Sequence, residues 1–545
     1  MELRAIPRAA AGAAFGLALG ELAVRLPALG ATAGALGLCL AAWRARRGEL
    51  AWEPLLAALG SVALGALLPA LALSRDPYHA LAPSRALALL WTELAVVGGA
   101  LGGFAVVAGA PPKRLPPARR EGPSPEPAPP LLQAALVATG LFLPLSIAGM
   151  QIAIGATAAL LLVSIARGAR PRLSSALDGP FFALAAAALG SALLSGAPRA
   201  ALSQTAFWTL LSYFAMSRAA ALSPPRTLRW ALAAWAGAAA FAGLLALCQH
   251  WTGFDLVAAL GLRAPIRVEQ PRHPGRFAGT GSFNSRLTLA HVLLLGAAME
   301  LGRRLAGDLG GARPRLAALA AWLLGVWSSF ARAAWMALAA LLGAAGGASL
   351  LRWDRRRAAG LGAAALVGGL LWIGAPGARG WAAAGLQPAK NSDRLFLWAR
   401  GAEMALDHPV AGIGFGRYQE RLGPYYDRWD KGFFMRTWSH DLFLSLLVEC
   451  GPLGLFAYLW LLAAAGSEAL AAWRRRHESG VAWPVGLCLG GGLAALAFAI
   501  VGTFHDALYD GEVAYNLAFA LSLAASAASA LGRPGTRAPA TAAAG

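Results

Sequence analysis

The chain is 545 residues long, 58% hydrophobic and only 14% charged, with a mean hydropathy of +0.56. Soluble domains carry about 25% charged residues, so a wholly soluble fold does not fit. The net charge of +20 and the pI of 11.1 would suit a nucleic-acid binder. The basic residues, however, sit in short clusters between apolar runs, as membrane topology signals do, and this speaks against nucleic acid.

The apolar runs are continuous Ala/Leu/Gly stretches, without the alternation of a barrel strand. Each has roughly the ~17–25 residues that carry a helix across a bilayer. In chain order the expected spans are 9–24, 28–42, 54–73, 86–109, 131–147, 149–166, 179–195, 200–217, 228–250, 283–301, 316–331, 333–351, 359–374, 440–464, 482–503 and 513–531. The fold class is therefore all-α, a polytopic membrane bundle of about sixteen transmembrane helices. The first run reads as a retained helix rather than a cleaved signal. Cys39, Cys248, Cys450 and Cys488 lie in or at the ends of apolar runs, with no metal spacing and no indicated disulfide.

Basic clusters at Arg4/Arg8, Arg44–Arg47, Lys113–Arg120, Arg167–Arg172, Arg218–Arg229, Arg303–Arg315, Arg352–Arg357, Arg474–Arg476 and Arg533–Arg537 recur after every second run. Placing them in the cytoplasm puts both termini there too, in a bacterial inner membrane. The Pro- and Arg-rich stretch 111–130 cannot form a helix and reads as a cytoplasmic linker. It divides an accessory transmembrane bundle, 1–110, from a core, 131–531, and residues 532–545 form a cytoplasmic tail. Two outward segments are long, about 251–282 and 375–439. Long loops in compact proteins usually carry function. Both are net basic, which the positive-inside rule does not explain in long loops. An anionic ligand such as a diphosphate would.

Within the second segment, Arg394 to Leu406 reads as an amphipathic helix along the membrane surface. Leu395, Trp398, Ala402 and Ala405 share one face, with Arg400 and Glu403 on the other. Gly412-Ile413-Gly414-Phe415-Gly416 is a tight turn, and no strand precedes it as a dinucleotide fingerprint requires. His440 stands where the loop enters the next span, followed by Asp441, Glu449, Gly451 and Gly454. An interfacial histidine is either a general base near neutral pH or an anchor beside Trp438. Arg332 lies at the outward junction of two spans, where a charge is paired, functional or snorkelling. Arg276 and Asn284 precede the tenth span and Arg286 opens it. His250, His273, His408, His505, Asp506 and Asp510 also face outward, in spacings that match no metal motif.

Three stretches together resemble the O-antigen ligase and polymerase family, membrane glycosyltransferases that use undecaprenyl-diphosphate-linked glycans. Arg276–Asn284 is similar to the family's arginine-to-asparagine segment ahead of a span. Ser392–Tyr418 is similar to its R-x-x-x-W…P-x-x-G-x-G segment. His440–Gly454 is similar to its loop-exit histidine, followed at fixed spacing by two glycines. The likeness covers the core. Asp441 stands where the family prefers Asn, Ser or Gln, and Ala331 replaces a serine in the stretch around Arg332.

The resemblance implies catalysis by a loop-exit histidine and two outward arginines. By motif these are His440, Arg394 and either Arg332 or Arg276, with topology favouring Arg332. Asn284, Arg286, Asp393, Arg400 and Asp441, with Arg276, are then expected around the substrate. The donor would be an undecaprenyl-diphosphate-linked glycan and the acceptor lipid A–core or another glycan, with no metal or other cofactor. Membrane lipid surrounds the site, and the accessory spans would contact glycan-export partners. Ligase and polymerase share these motifs, and protein serine or threonine is a third acceptor. A transporter or flippase is the reading from another class. Against it, intramembrane acids are few (Glu21, Glu93, Glu300, Glu449, Glu468) and no inverted repeat is visible.

Overall fold

A computed structural model describes residues 5–46, 51–74, 90–97, 128–171, 175–270, 273–308, 310, 312–351, 392–426, 438–478 and 480–531. The longer helices are α1 (Ala5–Arg25), α2 (Pro27–Arg46), α3 (Trp52–Ser74), α4 (Pro130–Phe142), α5 (Ile147–Ala166), α6 (Asp178–Leu194), α7 (Thr205–Leu222) and α8 (Pro225–Thr252). After a small hairpin come α9 (Arg286–Leu305), α10 (Ala312–Ser328), α11 (Arg332–Leu351), α12 (Ser392–Asp407), α13 (Leu442–Arg474), α14 (Ala482–Gly502) and α15 (Gly511–Leu531). Among the described residues, six helices are long and apolar enough to cross a membrane: α3, α5, α8, α13, α14 and α15. The protein is thus a helical, multi-pass membrane protein.

The expected spans 86–109 and 359–374 lie mostly or wholly outside the described residues, as do 111–127, 375–391, 427–437 and the tail 532–545. The other expected spans each fall on a helix. One element departs from the all-helical expectation. β1 (Glu269–Gln270) pairs antiparallel with β2 (His273–Phe277) in the first outward segment. Strands this short, with Pro274 and Gly275 inside one of them, carry no readable period-two pattern.

Local chemistry sets several helix starts. The Ser146, Ser285 and Asp441 side chains accept backbone N–H bonds at the heads of α5, α9 and α13. Proline opens α4 and α8, where a missing N–H costs nothing.

Helices α13, α14 and α15 form the centre of the bundle, with α9 packed on α14 and α7 on α15. The outer helices α5 and α8 turn Ile152, Leu162, Trp230, Phe241 and Leu244 outward. On a soluble protein such faces would drive association; in a bilayer they meet lipid. From the N-terminal bundle, α3 packs along α13, and the Ser61 hydroxyl donates to the Pro452 carbonyl at 3.4 Å. Buried polar groups are paired. The Trp235 indole donates to Asn516 Oδ1 at 2.6 Å, and Arg218 forms two 2.8 Å bonds to Asp178. Arg303, Arg304 and Arg315 gather around Glu300.

One feature of α13 shapes the site above it. At Gly451 (φ 64°, ψ −166°) and Pro452 the helix breaks and restarts in a new direction. Proline has no N–H, so the Val448 carbonyl four residues back loses its helical partner. The N–H of Ile413 takes its place at 2.8 Å, and Gly414 N–H bonds the Glu449 carbonyl at 3.1 Å. The kink therefore supplies the acceptors that hold the glycine-rich turn. Only glycine fits at 451, because the backbone is left-handed there and a Cβ would run into the Val410 carbonyl.

Candidate active site

Five chain segments meet where α13 begins. They are the Ser439-His440-Asp441 entry, the 503–510 turn between α14 and α15, the 330–332 junction, and the heads of α9 and α12. The His440 N–H donates to Asp506 Oδ2 at 2.9 Å, and the Ser445 hydroxyl donates to Asp506 Oδ1 at 2.5 Å. Arg394 donates to the Phe504 carbonyl at 2.8 Å. Arg286 donates to the carbonyls of Ser329 and Phe330 at 3.3 and 3.4 Å. Arg332 is exposed beside them, close enough to interact electrostatically with both Arg286 and Arg394.

Backbone strain marks the same place. Among the described residues the non-glycine residues with positive φ are Phe330 (54°) and His440 (55°). An L-residue pays roughly 1–2 kcal/mol for that conformation. One precedes Arg332 and the other is the loop-exit histidine itself. Strain of this kind concentrates at functional sites, where surrounding bonds hold it in place.

The electrostatics are those of a neutral imidazole beside fixed cations. Burial, then Arg394 and His505 nearby, pull the His440 pKa down to about 4. Asp506 Oδ2 lies 3.8 Å from His440 Nδ1, beyond hydrogen-bond reach. With the imidazole neutral at pH 7 this is no ion pair, and the carboxylate's contact with His440 is the backbone N–H. Burial raises the pKa of Asp506 itself, against its hydrogen bonds and Arg394. Burial and then Arg332 pull the Arg394 guanidinium below its usual value. An arginine remains charged regardless.

Residues 316–459 match the family model described as O-antigen ligase. That region belongs to the O-antigen ligase family. No curated protein matches the chain. The ligase region holds Arg332, Arg394 and His440, whereas Arg276, Arg286, His505 and Asp506 lie outside the matched residues. The match makes the chain a glycosyltransferase-like membrane enzyme of the ligase and polymerase type.

The remaining sequence candidates are placed differently. Arg276 stands on β2 with its guanidinium 3.7 Å from the centre of the Trp251 ring. Asn284 is exposed and accepts a 3.4 Å bond from Arg263. Asp393 is exposed in the first turn of α12. Arg400, expected on a solvent face, is fully buried, 2.9 Å from Glu403 and over the Phe396 ring. The reason is that α12 packs against α3 and α13, so Ala399, Ala402, Met404 and Ala405 are all buried and no wide polar face remains. A charge placed inside must be paired. Asp441 caps α13, accepting the Leu444 N–H at 3.1 Å, and burial raises its pKa to about 7.

Two partners were not singled out from sequence. Asp506 fixes the backbone of His440. Glu449 accepts from Gly416 N–H (3.0 Å), Tyr418 N–H (2.9 Å) and the Tyr509 hydroxyl (2.6 Å). It thereby ties the glycine-rich turn to the 503–510 turn. The signal for Glu449 was its charge within an apolar run. For Asp506 it was the density of polar residues in Thr503–Asp510, a short turn with little other reason to carry them.

Proposed function

We propose that this protein transfers a glycan from undecaprenyl diphosphate to an acceptor hydroxyl on the periplasmic face of the inner membrane, with lipid A–core as acceptor. The observation that carries this reading is the convergence of Arg286, Arg332 and Arg394 on a neutral, backbone-strained His440. The proposal includes about sixteen crossings with both termini in the cytoplasm and the loop 375–439 outside.

In the proposed step the acceptor oxygen attacks the anomeric carbon and its proton passes to the His440 imidazole. The bond from that carbon to the phosphate oxygen breaks, with inversion, and the electron pair leaves on polyprenyl diphosphate. Arg394 and Arg332 hold the diphosphate oxygens, and Arg286 adds its charge behind them. Arginine suits the task because its planar fork binds two oxygens at once. The reading draws on no metal and no nucleotide. An imidazole with a pKa of about 4 is a weak base. The arriving diphosphate offsets the field of Arg394, and so raises the proton affinity of His440 as the substrate lands.

A deletion strain tests this. Loss of the long lipopolysaccharide ladder, with long polyprenyl-linked glycan accumulating, supports ligation. Core bearing one repeat, with only short lipid-linked units, makes the enzyme a polymerase. An unchanged gel removes lipid A–core as acceptor. Glycan uptake into liposomes without covalent transfer would replace the enzyme reading by a transporter.

A further inference from the structure

Behind His440 lies a group that the transfer step leaves unused. His505, in the turn between α14 and α15, has its ring centre 6.2 Å from that of His440 and its plane within 15° of parallel. The His291 ring, from α9, is 5.2 Å away. Asp510 Oδ2 lies 3.6 Å from His505 Nε2 and accepts a 2.6 Å bond from the Thr288 hydroxyl. The ring nitrogens of His291 and His505 are buried, and none has a hydrogen-bond partner among the described residues. Most buried polar atoms are bonded, so four open ones side by side call for a role. Ionisable groups inside a membrane bundle are by default functional candidates.

The charges around His505 come from every element that packs there. His291 faces it from α9, His440 from the head of α13, and Asp506 and Asp510 from its own turn. Arg394 acts from α12 on His440 and Asp506. The arrangement is graded. His440 faces a guanidinium, and His505 faces a carboxylate. A proton is repelled at the first position and attracted at the second.

We propose that His505, anchored by Asp510, takes over the proton that His440 removes from the acceptor hydroxyl. This rests on the transfer reading above. The proton first moves from the hydroxyl to the His440 imidazole, as the new glycosidic bond forms and the bond to phosphate breaks. The His440 imidazolium then passes it to the neutral imidazole of His505. The rings are too far apart for a direct bond, so the hand-over takes a swing of the His440 side chain or one bridging water. The His505 imidazolium rests against the Asp510 carboxylate, and the proton leaves to outside water along the accessible part of His505, whose side chain is 19% exposed. His440 is neutral again for the next turnover, and no oxidant or co-reactant is consumed. His505 acts through His440 and does not touch substrate.

The test uses the purified full chain in liposomes, with a lipid-linked glycan donor and an acceptor. His505→Gln should leave the first turnover within about threefold of the unaltered protein, because His440 still takes that proton. Steady-state turnover should fall roughly tenfold to a hundredfold, the lower range for losing an acid–base group. Added imidazole should restore part of the steady-state rate of His505→Ala. Asp510→Asn should show the same split more weakly, which covers the case of a poorly folded His505 variant. Unchanged steady-state turnover in His505→Gln overturns the relay. So does a loss shared equally by first and later turnovers and insensitive to imidazole, since that is a structural effect. If the unaltered protein performs no transfer at all, the transfer reading fails and the relay with it. If it transfers and His505→Gln is indifferent, the relay alone fails.

Discussion

The two outward regions look alike in sequence and differ in how they use their arginines. In the hairpin region the charges are absorbed by structure. Arg263 bonds Asp255 and the Thr280 hydroxyl, Arg267 lies over Phe277, and Arg276 lies over Trp251. At the head of α13, Arg286 and Arg394 are held by backbone carbonyls, and Arg332 crowds both. Carbonyls orient a guanidinium without cancelling its charge, whereas a carboxylate neutralises it. An arginine count therefore marks an anion site less well than the kind of acceptor each arginine meets.

The sharpest way to break this comparison is to remove the group on which the second region centres. His440→Ala should reduce transfer by about a hundredfold to ten-thousandfold, with the protein still folded, measured as initial rate against expression level. Next come Arg394→Ala and Arg332→Ala, each expected to cost on the order of a hundredfold in transfer. A lysine at either position should recover only part, because it lacks the fork.

Gly451→Ala should act on folding instead. It forces a side chain into left-handed backbone and against the Val410 carbonyl, at a cost of roughly 1–3 kcal/mol, visible as a lower thermal midpoint.

The pH profile sharpens the account further. The base must be neutral, so kcat/KM should rise with pH through about 4 and then level off. Arg394→Gln removes a cation that disfavours the imidazolium, so the acid limb should move to higher pH in that variant. The smallest effect is expected in the hairpin. Arg276→Ala should leave transfer within about threefold, with a stability loss of about 0.5–1 kcal/mol from the lost contact with Trp251.

Most of the helices were legible because a bilayer imposes long apolar runs, and these need no tertiary context to recognise. The triad of Arg332, Arg394 and His440 was legible from charge at span ends and from motif order. Arg400 was not, because an amphipathic wheel assumes one wet face and cannot see α3 packing on the other side of α12. Arg276 and Arg332 looked equivalent as loop arginines; the aromatic ring under one and the second guanidinium beside the other appear only in three dimensions. The tie between Gly414 and Glu449 is similarly non-local, since a proline in α13 frees carbonyls that a distant turn then uses.

The central claim is that the arginines bind the donor's diphosphate while His440 performs the proton transfer. Binding of undecaprenyl diphosphate and glycan transfer, measured side by side on His440→Ala and on the Arg332→Ala/Arg394→Ala double variant, test it most directly. The account predicts that His440→Ala binds within about twofold of the unaltered protein yet transfers almost nothing, and that the double variant loses binding by at least about a hundredfold. Full transfer by His440→Ala, or undiminished binding by the double variant, would contradict it.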